Sequence, residues 1–127
     1  MSLEYARTGP DAWVGQVGHV RLYLSDEGGA VSPVQAAVAA RLAGSLDTLC
    51  QVASAYLDLF VDRRRTCGRA EEPWWLDEID FRDQDPQSPI GYALLFTLHG
   101  DDGGLWTVEM RASEGGHRPY RFERRQG

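Results

Sequence analysis

The stretch from Ser32 to Phe60 constrains the fold most, because it joins a helix-start signal to a long apolar stripe of helical spacing. Ser32-Pro33-Val34-Gln35 places a hydroxyl at the N-cap, Pro at the first helical position and Gln three residues after the cap. This is a capping box, which satisfies amide donors that a helix start leaves without partners. Val34, Val38 and Leu42 follow at helical spacing, and Leu46, Leu49, Cys50, Ala53, Tyr56, Leu57 and Phe60 continue the stripe. Gly44-Ser45 divides it into two helices, with Ser45 capping the second, or kinks a single one. Arg63, Arg64 and Arg65 fall in the predicted last turn, where cations complement the helix dipole, and Gly68 follows as a stop.

A helical pair of this kind must bury its stripe, and the flanking segments alternate as strands do. Trp13 to Val17 and His19 to Ser25 read as two short strands around Gly18, with Val20, Leu22 and Leu24 on one side. Asp26-Glu27-Gly28-Gly29 ends the second with turn chemistry. After a polar linker, Trp75, Asp77, Ile79 and Phe81 alternate with Trp74, Leu76, Glu78, Asp80 and Arg82. Asp85 to Pro89 is loop, because two prolines so close do not fit a sheet. Tyr92 to His99 and Leu105 to Arg111 form a hairpin around Gly100-Asp101-Asp102-Gly103-Gly104. Tyr92, Leu94, Phe96 and Leu98 share a face with Trp106, Val108 and Met110, and a last strand from Arg118 to Arg124 points Tyr120 and Phe122 inward.

Helix inserted between runs of strands is the α+β signature. The expected architecture is an antiparallel sheet of five to six strands, order ββ-αα-ββββ, packed against two consecutive helices. One sheet face meets Val38, Leu42, Leu46, Leu49, Ala53 and Phe60, and the other is partly open. A chain of 127 residues supports one core of this size, so residues 1–127 read as a single domain, with 1–11 as a loose N-terminal segment.

Composition narrows the function classes. The formal net charge is −6, which disfavours nucleic acid and anionic membrane surfaces and suits a basic partner. All 13 basic residues are Arg, the codon usage expected of a GC-rich bacterial genome. Cys50 and Cys67, if joined by helix, lie roughly 25 Å apart, beyond disulfide reach. Reduced thiols, the absence of a signal-like N-terminus and the absence of a long apolar run make cytoplasmic the expected location.

No motif specifies catalysis. His19, His99 and His117 each adjoin a glycine and none has a second ligand at metal-binding spacing. Asp83-Gln84-Asp85 opens like a calcium loop, but Ser88 stands where Gly is required and Leu94 where Glu is required. Glu78 and Asp80 project on one strand face, where paired carboxylates can serve acid–base work or simply face solvent. Cys50 falls on the apolar stripe as a small core residue. Of Trp74 and Trp75 only one can enter the core, and the alternation leaves Trp74 outside, covered by a terminus or offered to a partner. No cofactor or metal is expected.

The strand pair Ala12-Trp-Val-Gly-Gln-Val-Gly-His-Val-Arg-Leu-Tyr-Leu24, the helical Leu46-Asp-Thr-Leu-x-x-Val52, the strand Asp77-Glu-Ile-Asp-Phe81 and the hairpin from Leu95 to Glu109 resemble a pattern in small acidic bacterial proteins. Some of these are encoded beside polymorphic toxins and look like immunity proteins. The resemblance implies a non-enzymatic interaction protein and brings no active-site residues. The candidate binding residues are Trp74, Glu78, Asp80, Asp83 and Asp85, facing a basic protein. The rival expectation is a small enzyme or ligand-binding domain with a pocket between helices and sheet, and a homodimer through an open sheet edge is a third.

Overall fold

The computed structural model describes residues 3–61, 74–82, 90–113 and 116–126. Its elements run β1 (Ala6–Arg7), β2 (Ala12–Val17), β3 (Val20–Glu27), β4 (Ala30–Val31), α1 (Pro33–Ala43), α2 (Leu46–Asp58), β5 (Trp74–Asp80), β6 (Ile90–Leu98), β7 (Gly104–Ser113) and β8 (Gly116–Gln126). Among the described residues the sheet has eight strands in the order β1-β2-β3-β5-β6-β7-β8, with β4 paired to the end of β3. The α+β class is as expected. The strand count and the uniform antiparallel pairing are not.

Two of the additional strands, β1 and β4, are two residues long, below any period that alternation can reveal. β1 arises within the segment read as loose, pairing Ala6 with Val14 and Arg7 with Trp13. Behind it the Tyr5 ring lies so close to Gly15 that a Cβ there would meet the ring at 2.8 Å. The pairing of β3 with β5 is parallel, Leu22 opposite Ile79. The chain leaves β3, crosses through the helices and returns in the same direction, the usual consequence of a helical crossover.

One cluster unites the helices with one sheet face. Val38, Ala39 and Leu42 of α1 and Leu49, Ala53 and Leu57 of α2 pack on Val20, Leu22, Leu24, Ile79, Phe81, Tyr92, Leu94, Phe96, Val108 and Met110. The apolar stripe divides into two helices rather than one kinked helix, since Gly44 caps α1 and Ser45 stands at the α2 N-cap. The Ser45 hydroxyl makes no cap bond and donates to the Arg41 carbonyl instead, closing α1. α2 ends at Asp58, so no cation lies in its last turn; Arg63, Arg64, Arg65 and Gly68 fall outside the described residues. Phe60, placed in the core by the stripe, follows that end and is 61% exposed.

Half of the capping box forms. The Ser32 hydroxyl accepts from the Gln35 amide, but the Gln35 side chain does not reach back to the cap. It turns into the core, where its Nε2 donates to the Phe81 carbonyl at 3.1 Å and its Oε1 accepts from the Ser25 amide at 2.7 Å. Gln35 thus occupies the buried position at the start of α1, and Val34 beside it is exposed. Among the described residues no helix is long and apolar enough to cross a membrane.

Candidate functional site

Each of the two bulges in the sheet decides which aromatic residues reach the surface. In β5, Leu76 pairs with Phe96 and Glu78 with Leu95, so Asp77 is an extra residue. A bulge of this kind shifts the phase of everything on one side of it. Ile79 and Phe81 face the helices as the alternation predicts, but upstream of Asp77 the faces exchange. Trp74 turns to the helix side, edge-on to Trp106 at 5.4 Å and Phe96 at 6.2 Å, its Nε1 donating to Asp58. Trp75 is the tryptophan left outside, 53% exposed. The expected assignment of the pair is reversed.

Trp75 stands opposite Thr97 on the sheet face that carries no helix among the described residues. Its indole stacks on His19, with ring centroids 4.3 Å apart and planes at 28°. His19 is held there by the Gly18-His19 turn between β2 and β3. Beside Trp75 an open hollow of about 680 Å³ runs to the β6–β7 turn, lined also by Thr97, Leu98, His99, Asp102 and Leu105. His19 is not in its lining, so the indole is shared between a stacked partner and an open wall.

The C-terminal strand braces the hollow's far wall. Arg124 donates to Asp101 from Nε at 2.9 Å and from Nη2 at 2.6 Å, and Trp106 Nε1 donates to the same carboxylate at 2.7 Å. These bonds, Arg124 first, hold the Asp101 carboxyl below the usual carboxylate range. The carboxylate sits against Gly104, where any Cβ would collide with it. Gln126 Nε2 donates to the Asp102 carbonyl at 3.1 Å, and Asp102 itself is an exposed residue of the hollow's lining.

Glu78 and Asp80 share this face with Trp75, further along β5. Glu78 accepts from Arg21 of β3 at 2.7 Å. Asp80 takes both Nε and Nη2 of Arg82, whose guanidinium also lies 4.3 Å from the Tyr23 ring centroid. On β7 and β8, Glu109 pairs with Arg121. These two of the four predicted binding carboxylates are therefore half-buried and ion-paired within the chain. Trp74 does not join them, being on the opposite face, and Asp83 and Asp85 lie outside the described residues.

The histidines go to different places. His117 sits at the far end of the sheet, where the Tyr92 hydroxyl meets its Nδ1 at 2.6 Å. Burial raises the Tyr92 pKa, so the phenol stays protonated and donates; burial and then Arg41 lower that of His117. From Tyr92 to Leu98 the strand covers about 20 Å, which separates this pair from His99. Among the described residues no three His, Cys, Asp or Glu side chains gather as a metal site. Cys50 is a half-buried free thiol against the core, its pKa raised by burial and then by Asp47; Cys67 lies outside the described residues.

Sequence reasoning missed Trp75, His19 and the hollow because the bulge at Asp77 has no residue signature. The two glycines and two aspartates of the β6–β7 turn were visible, but only as a turn. No protein-family model, curated protein or solved structure matches this chain.

Proposed function

We propose that this chain is a non-enzymatic protein-interaction domain that binds a basic partner on its helix-free sheet face, with Trp75 as the anchor. The observation that carries the reading is Trp75 itself, a large aromatic exposed on a rigid central strand and steadied by His19 at the edge of an open hollow. Tryptophans so placed dominate interface energetics, because they bury a large area at little entropic cost. The −6 net charge and the exposed Asp102 carboxylate at the rim favour a cationic group from the partner. A Lys or Arg side chain stacked on the indole fits both features. The resemblance to immunity-like proteins points in the same direction.

Glu78 and Asp80 enter this reading as a charged margin rather than as free anions. Their pairing with Arg21 and Arg82 orders the face without offering unmatched charge. The rival reading requires a pocket between helices and sheet. In the described residues that layer is filled by Leu22, Leu42, Leu57, Leu94 and Phe96, all essentially inaccessible, and the hollow lies outside it, which supports the first reading.

The test is affinity capture from a lysate of the source organism with wild-type, Trp75→Ala and Asp102→Asn baits. The expected result is one basic protein retained by wild type at low salt and lost from Trp75→Ala. Retention that ignores both substitutions, or recovery of no basic protein, would count against the proposal.

A further inference from the structure

We infer that the outer edge of β8 is a docking strip for an extended acidic segment of another protein, which adds itself to the sheet as a further strand. β8 is the last strand in the sheet order and pairs with β7 alone among the described residues. At 11 residues it is the longest strand among the described residues, whereas the opposite edge ends in the two-residue β1. An edge strand carries a row of backbone donors and acceptors that another chain can use.

The chemistry along β8 selects the occupant. Its bulge lies where Glu109 pairs with Arg121 and Met110 with Pro119, leaving Tyr120 as the extra residue. Pro119 has no N–H to offer. The longer regular stretch of edge is therefore Arg121–Gln126, about 17 Å of strand. Arg121, Glu123 and Arg125 point to the helix-free face, opposite Glu109, Thr107 and Leu105. The Arg121 and Arg125 side chains are 70% and 73% exposed despite their pairing with Glu109 and Glu123, so either can turn to an incoming carboxylate.

This pattern opposes a second copy of the chain paired in the register centred on Glu123. Antiparallel self-pairing centred on Glu123 sets Arg121 against Arg125, Arg125 against Arg121 and Glu123 against itself, all like charges. An acidic strand is complementary instead, with one carboxylate opposite Arg121, a second four residues away opposite Arg125, and an uncharged residue opposite Glu123. Arg and Pro on an edge also discourage aggregation, but that role predicts no affinity for any strand. The strip adjoins the hollow's far wall at Leu105, Asp101 and Asp102 but does not include Trp75, and it does not depend on the hollow's function.

The experiment uses the full chain and a fluorescein-labelled peptide with the core Glu-Val-Thr-Val-Glu, followed by fluorescence anisotropy. Saturable binding is expected, weakened about tenfold by Arg121→Ala with Arg125→Ala and by a peptide with Lys in place of both Glu, the scale of one charge-assisted contact. N-methylation of alternate peptide amides is expected to abolish binding, which simple ionic adsorption would survive. Trp75→Ala is expected to leave it unchanged. Equal binding of the Glu and Lys peptides, no binding at all, insensitivity to N-methylation, or a dimer in sedimentation that Arg121→Glu dissolves would each overturn the inference.

Discussion

β5 and β8 each contain one bulge, yet the two irregularities do opposite things. β5 lies between β3 and β6, and its extra residue exchanges two neighbouring tryptophans between faces without interrupting the core. β8 is an edge strand, and its extra residue ejects Tyr120, which is 40% exposed with the Arg111 guanidinium 4.4 Å from its ring centroid. Upstream of that bulge His117 and Pro119 face the helices; downstream Phe122 does, against Tyr56 and Phe60. A bulge inside a sheet is held on both sides and can fix an exposed side chain firmly. At the edge it instead limits how much strand remains regular. The first arrangement suits an anchor and the second a strip of defined length.

The largest effect expected from this comparison separates the adjacent tryptophans. Trp74→Ala removes a ring packed on Trp106 and Phe96 and the bond to Asp58, and is expected to cost about 2–4 kcal/mol. Trp75→Ala is expected to cost about 0.5 kcal/mol, as exposed substitutions do. Chemical denaturation of the two variants measures both. Equal costs would mean that the bulge does not set the faces.

That exchange also marks where the sequence stopped being legible. The two helices, the Ser32 cap, the β6–β7 hairpin and the buried faces of β3, β6 and β7 follow from period and cap chemistry, which are local. Whether β5 runs parallel to β3 depends on the crossover, to which the residues of β5 do not contribute. One extra residue in a ladder leaves no compositional trace either, since Asp77 and Tyr120 are ordinary members of an alternating strand. The phase was therefore right at Ile79, Phe81 and Phe122 and wrong at Trp74, Trp75 and Tyr120. The candidate site inherited that error: Glu78 and Asp80 were placed on the correct face, and the tryptophan beside them was the wrong one of two.

Gln35 supplies the next largest effect, because its buried side chain pins the end of β5. Its side chain joins α1 to Ser25 of β3 and Phe81 after β5. Gln35→Leu keeps the volume but leaves the Ser25 amide and the Phe81 carbonyl unpaired, with an expected loss of about 2–3 kcal/mol. Gln35→Glu, which retains an acceptor for Ser25 but no donor for Phe81, introduces a buried charge at neutral pH and is expected to recover stability on acidification. Thermal melts across pH distinguish the two.

Acid also separates the two ends of the sheet. His117 has a lowered pKa, so the unfolded chain takes up a proton near pH 6.5 that the folded chain accepts only at lower pH. Stability from this source is complete above pH 6.5 and falls as pH drops below it, until the folded-state value is passed. Asp101 acts in a lower window. Its carboxyl is depressed below 3.8 by Arg124 and Trp106, so its contribution is present above that value and lost as pH falls through the folded-state one. Denaturation midpoints between pH 7 and 5 are expected to decline in the wild type and to flatten in His117→Asn, whose amide oxygen takes the place of Nδ1 and can still accept from Tyr92. An unchanged slope would assign the decline elsewhere.

The smallest effect compares an ion pair at each bulge. Arg21 holds Glu78 across the β3–β5 junction, and Arg121 holds Glu109 at the edge, with Arg side chains 53% and 70% exposed. Exposed pairs contribute about 0–1 kcal/mol because water and salt screen them. Arg21→Ala is expected near the upper end of that range and Arg121→Ala near the lower, the difference shrinking in high salt. If Arg121→Ala proved the costlier, Glu109 would have to be the partner that fixes β8, and the arginine could not swing away to meet an incoming strand. A near-zero cost is what leaves Arg121 free to do so.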